Sequence, residues 1–138
     1  MAKPTLYFIC TGNSARSQMA EGFGRQILGD RYDVVSGGLE PSVVHPLAIR
    51  AMAEIGLDIS GQKSRPIDPE VLRAARIAVT LCGDAEERCP VTPPQVRRLH
   101  WPLPDPARAE GSEEERLAVF RSVRDEIAAR VGALAEDA

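Results

Sequence analysis

The chain has 138 residues, 43% of them apolar and 27% charged, with a net charge of -3 at neutral pH. That size and balance describe one domain, residues 1–138, with a single core. The acidic sign argues against a nucleic-acid partner and against an anionic membrane surface, and no apolar run approaches the roughly 20 residues of a membrane span.

The N-terminus lacks the basic segment, apolar stretch and cleavage site of a secretory signal, so a cytoplasmic protein is expected. Cysteines stay reduced in that compartment, and the three present point to chemistry or metal binding more than to structural bridges. Thr5–Cys10 predicts a first strand, with Pro4 just ahead of it. Ser17–Leu28 predicts a helix, with Met19, Phe23 and Ile27 four residues apart and Gly29 at its end. Tyr32–Ser36 reads as strand two, closed by Gly37-Gly38. His45–Ile55 reads as helix two, with Pro46 in its first turn and Gly56 as its stop. Asp68 is a fitting N-cap for a short helix from Pro69 to about Ala74. Ile77–Leu81 is strand three and delivers Cys82 at its end, and Val96–Trp101 is strand four. Ser112 and Glu115 form a capping box for a last helix, which buries Leu117, Phe120, Val123, Ile127, Val131 and Leu134. Strands alternating with helices predict an α/β fold with a four-stranded, mainly parallel sheet.

The run Cys10-Thr11-Gly12-Asn13-Ser14-Ala15-Arg16-Ser17 carries the chemistry. It links the end of a strand to the N-terminus of a helix. There, backbone N–H groups can turn inward as an anion-binding nest. The same N–H groups and the helix dipole favour a thiolate, lowering a cysteine from about 8.5 into the range of roughly 3.5–7.5. Arg16 adds a planar fork suited to two oxygens of a tetrahedral oxyanion. Asn13 can hold the loop through a left-handed conformation, and Ser17 can donate its hydroxyl to Cys10. A bare Cys-x5-Arg is a weak signal; the strand–loop–helix setting is what gives it weight.

Ligands of open parallel sheets bind beyond the carboxyl ends of the strands. Cys10, Cys82 and the loop holding Asp105 all follow strands on that edge. Asp105 sits among prolines in Trp101-Pro102-Leu103-Pro104-Asp105-Pro106. A protonated Asp there would serve as a general acid, although a turn-forming Asp is the commoner local reading. Cys82 and Cys89 enclose six residues, which in a helix span about 10 Å. A disulfide needs Cα atoms roughly 4.4–6.8 Å apart, so a helical segment would have to unwind or bend to close one. Two unrelated thiols are an equally good reading of the pair alone. Zinc fits less well, because the usual two-to-four-residue spacing and a second pair are missing. His45 and His100 have no catalytic spacing.

Cys10-Thr-Gly-Asn-Ser-Ala-Arg16-Ser17-Gln-Met-Ala-Glu21 resembles the active-site segment of thioredoxin-coupled arsenate reductases. These share a fold with low-molecular-weight protein tyrosine phosphatases. The resemblance extends through Val79-Thr-Leu-Cys82, Cys89-Pro90 and His100-Trp101 to Asp105-Pro106. It implies a three-layer α/β sandwich, an oxyanion loop of residues 11–17, and arsenic detoxification without a bound cofactor or metal. By the same resemblance Cys10 attacks arsenate held by the loop and Arg16, and Asp105 protonates the leaving hydroxyl. Cys82 then attacks Cys10 and arsenite departs. Cys89 resolves the transient Cys10–Cys82 bond into a Cys82–Cys89 disulfide, which reduced thioredoxin opens. Phosphate or sulfate would compete for the loop, and a monomer is expected.

Two departures stand out. Some relatives hold potassium through positions matching Asn13, Glu21, Ser36 and an Asp. Here Arg65 stands where that Asp would be, which predicts an absent or weak site with the Arg65 guanidinium near Glu21. Ala15 takes a position that is Cys in some relatives. The alternatives are a phosphatase working through a phosphocysteine at Cys10, and a non-enzymatic oxyanion or redox sensor. The chain's low aromatic content, 4%, speaks against a cleft built for phosphotyrosine.

Overall fold

The computed structural model describes residues 3–82 and 93–137. Cys89 and the stretch joining it to Cys82 lie outside them. Four parallel strands form one sheet in the order β2-β1-β3-β4: β1 is Thr5–Cys10, β2 Asp33–Gly38, β3 Ile77–Cys82 and β4 Arg97–Leu103. The helices are α1 (Arg16–Leu28), α2 (Pro46–Ala53), α3 (Pro69–Ala74) and α4 (Glu113–Asp137), with a 3-10 turn at Pro106–Arg108.

Side chains alternate across a strand, and β1 sorts the core accordingly. Leu6, Phe8 and Cys10 face the larger cluster, with Met19, Phe23, Met52, Leu117, Phe120 and Ile127 from α1, α2 and α4. Tyr7 and Ile9 face the smaller cluster, with Leu72 of α3, Ala78 and Val96. The molecule therefore has three layers: three helices, the sheet, and α3. All six apolar residues expected to line α4 are buried. The capping box forms as read, Ser112 N donating to Glu115 and Glu115 N to Ser112 Oγ, both at 3.1 Å. Asp68 likewise caps α3 by accepting from Glu70 N and Val71 N.

Among the boundaries that differ from the sequence reading, three have a physical reason. β2 runs on through Gly37 and Gly38, which pair with Ile9 and Cys10. The glycines do not close the strand; they keep it bare where the Cys10 loop crosses it. A Cβ on Gly38 would stand 2.7 Å from Asn13 N and 2.9 Å from Thr11 O. β4 reaches Leu103 through Pro102, tolerated because β4 is an edge strand. α2 begins after His45, whose φ of -65° and ψ of 132° are extended, so His45 is the cap and not the first helical residue. At the far end of α2, Glu54 accepts from Arg121 Nε and Nη2 (2.9 and 2.6 Å) and from Arg124 Nη1 (3.1 Å), joining α2 to α4. The two arginines hold the Glu54 carboxyl down at about 2.

Candidate active site

β1 ends at Cys10 in the middle of the sheet, and α1 begins after five intervening residues. The five carbonyls of this turn all point outward to fixed partners. Cys10 O accepts from Leu39 N (3.3 Å), Thr11 O from Glu40 N (2.8 Å) and Ser14 O from His45 N (3.0 Å). Gly12 O accepts from Ser42 N at 3.2 Å and from Ser64 Oγ at 3.1 Å. Asn13 O accepts from Gln18 Nε2 at 3.0 Å. A planar trans peptide directs its N–H opposite to its C=O. Outward carbonyls on Cys10 to Ser14 therefore turn the N–H groups of Thr11 to Ala15 toward the inside of the loop. The N-cap of α1 is Ala15, whose side chain can accept nothing, so the helix end adds its positive pole to the same bowl.

Asn13 is the keystone of the turn. It has a φ of +46° and is fully buried. Its Oδ1 accepts from the backbone N–H of Arg65 at 2.8 Å, an unambiguous donor, which fixes the amide orientation. Its Nδ2 then necessarily donates, to Ser17 Oγ at 2.7 Å and Ser36 Oγ at 2.9 Å. Because Ser17 Oγ accepts from Asn13, its own proton is available for Cys10 Sγ, 2.8 Å away. Ser36 in turn donates to Glu21 Oε1 at 2.6 Å.

Arg16 is 5% exposed. Its Nη1 donates to Leu103 O at 3.1 Å, and its Nη2 lies 3.6 Å from Asp105 Oδ2. Asp105 caps the 3-10 turn by accepting from Ala107 N at 3.0 Å, with Arg108 Nε 3.9 Å from its Oδ2. The candidate acid is thus held beside the candidate oxyanion clamp, although the two lie far apart in sequence, because the parallel sheet brings them to one edge. The backbone of Cys82 lies on the same edge, at the end of β3, the strand next to β1.

The ion pair of Glu21 is made by Arg25 Nη2 at 2.9 Å, a partner the sequence reading did not name. Arg25 follows Glu21 by one helical turn, which puts both on the same face of α1. Arg65 contributes its backbone N–H to Asn13, and its side chain shares with Glu21 and Arg25 the lining of a cavity of about 350 Å³. Sequence reasoning also passed over Gln18, fully buried, whose amide reaches Asn13 and Lys63 O, and over Ser42 and Ser64. His45, given no catalytic role, supports the loop through Ser14 and accepts from Leu47 N at Nδ1, 3.1 Å. His100 Nδ1 meets Thr80 Oγ1 at 2.6 Å.

Residues 5–138 match the family described as low molecular weight phosphotyrosine protein phosphatase. The chain belongs to this family. Within the low molecular weight phosphatase family it is similar to arsenate reductases, 54% identical to one from Bacillus licheniformis over 136 residues (99% of this chain, 98% of the relative). It is 56% identical to one from Halalkalibacterium halodurans with the same coverage. Among solved structures, an arsenate reductase in the phosphate binding state superposes with a TM-score of 0.79 at 39% identity, covering 97% of this chain and 98% of that one. A thioredoxin-dependent arsenate reductase from Corynebacterium glutamicum gives 0.78 at 29% identity, covering 99% of this chain and 62% of that protein.

Proposed function

We propose that this chain is an arsenate reductase that reduces arsenate to arsenite by a relay of three cysteines and is recharged by thioredoxin. The observation that carries the reading is that neighbouring strands β1 and β3 end in Cys10 and Cys82 on one sheet edge, beside the Arg16–Asp105 pair. The relatives at more than half identity supply the substrate.

Arsenate sits in the inward N–H groups of residues 11–15, gripped by Arg16. The Cys10 thiolate, steadied by the Ser17 hydroxyl, attacks arsenic. One arsenic–oxygen bond breaks, and the hydroxyl leaves as water with a proton from Asp105. Cys82 then attacks Cys10 Sγ. The sulfur–arsenic bond breaks with its electron pair left on arsenic, which departs as arsenite. Cys89 attacks Cys82 and frees Cys10. Thioredoxin, as a dithiol, returns two electrons to the Cys82–Cys89 disulfide by thiol exchange. The thiols supply both electrons, so the chemistry calls for no metal or cofactor.

The test is NADPH consumption with thioredoxin, thioredoxin reductase and arsenate, comparing wild type with Cys89→Ala. Sustained turnover in wild type and arrest after about one cycle in the variant is expected. Brisk hydrolysis of an aryl phosphate with no arsenate-dependent NADPH loss would instead make the chain a phosphatase, the other chemistry open to its family.

A further inference from the structure

The hydrogen bonds behind the loop form one connected chain that runs outward in both directions from Asn13. Asn13 Nδ2 donates both ways, to Ser17 and to Ser36. Ser17 faces Cys10 Sγ, and Ser36 donates to Glu21. The chain ends on a carboxylate that is 8% exposed. A buried carboxylate is tolerated only with a counter-charge or a proton. Without a counter-charge, Glu21 would place a negative charge behind the nucleophile. The groups facing Glu21 across its cavity are Arg25, Asp58, Lys63 and Arg65. Among the described residues, Arg25 is the one within ion-pair distance, at 2.9 Å. Arg16, which closes the loop, lies next to Asp105.

We propose that Arg25 is a positioning residue for Cys10: its guanidinium neutralises Glu21 and so keeps the Ser36–Asn13–Ser17 chain aimed at the thiolate. Arg25 touches neither substrate nor sulfur. It sets how readily the nucleophile ionises from the opposite side of the loop, through four hydrogen bonds and one ion pair. The proposal rests on Cys10 being the nucleophile of the function proposed above. Its readout is the thiol itself, so loss of arsenate turnover and loss of this coupling are separate results.

The measurement is the pH dependence of Cys10 carbamidomethylation by iodoacetamide in the full-length reduced protein, followed by mass spectrometry of the Cys10 peptide. Arg25→Ala should raise the midpoint by about half to one pH unit, because a buried like charge then opposes the thiolate. Arg25→Lys should restore it almost fully. Glu21→Gln keeps an acceptor for Ser36 but leaves Arg25 unopposed, so its midpoint should fall. The double variant should return close to wild type, the signature of a coupled pair. A merely structural role would move both single variants the same way. An unmoved midpoint in folded Arg25→Ala, or a rise in Glu21→Gln, would overturn the proposal. Should Arg25→Ala not fold, the fall in Glu21→Gln and the recovery in the double variant decide it.

Discussion

At Asn13, conformation and chemistry meet in one side chain. Its positive φ suits glycine better than any residue with a Cβ, yet its amide holds Ser17, Ser36, Gln18 and the Arg65 backbone at once. The two contributions can be separated. Asn13→Gly keeps the backbone at ease and loses the amide; Asn13→Ala loses the amide and strains the turn as well. Urea denaturation should rank stability as wild type, then Gly, then Ala. The Ala variant should fall by about 2–4 kcal/mol, with the gap between the two variants near 1 kcal/mol. Equal losses would remove the conformational part of the argument. The Asn13 reading from sequence, a left-handed residue that braces the loop, agrees with this geometry. Its partners Ser36 and Arg65 lie too far along the chain for local spacing to reveal them.

Among the elements, α2 and the segment before it matter more to the loop than their sequence suggests. Residues 39–45 lie outside the loop, yet they hold four of its carbonyls before ending in the His45 cap. Burial, then the Arg116 charge, push the His45 imidazole below its ordinary value, against a smaller opposing pull from Asp105. The neutral ring is the one that caps α2. Unfolded, the same histidine takes up a proton near pH 6.5. This stability is therefore complete above that pH and is lost as the pH falls from there through the lower folded-state value. His45→Asn, which keeps an acceptor that does not titrate, should flatten the decline of Tm between about pH 7 and 5. His45→Ala should cost about 1 kcal/mol at pH 7. An unchanged pH profile in His45→Asn would exclude the imidazole as the source. β1, α3 and the α4 capping box were legible because their signals are local: alternation, Asp-Pro, and Ser-x-x-Glu. β2 was cut short because Gly37-Gly38 reads locally as punctuation. Only the loop lying against Gly38 shows why a strand there must lack side chains. The ion pair of Glu21 with Arg25 was passed over although the two stand one helical turn apart.

For the whole molecule, the described residues bring together Cys10, Arg16, Ser17 and Asp105 because parallel strands deliver their ends to one edge. Two ligand effects follow for the intact protein. Inorganic phosphate should stabilise the fold by an amount that grows with the logarithm of its concentration, about 2.7 kcal/mol at one hundred times its Kd, and raise Tm accordingly; Arg16→Ala should abolish most of the rise. Potassium chloride should do no more than sodium chloride at equal ionic strength, because Arg25 already answers Glu21; a rise specific to potassium would contradict that. The outward-tied carbonyls also have a consequence for selection. A bowl whose shape is set before any anion arrives measures size and charge, and tetrahedral anions of similar size look alike to it. Choice among them thus passes from affinity to fate: many guests are admitted, and the one whose central atom accepts an electron pair leaves as something else.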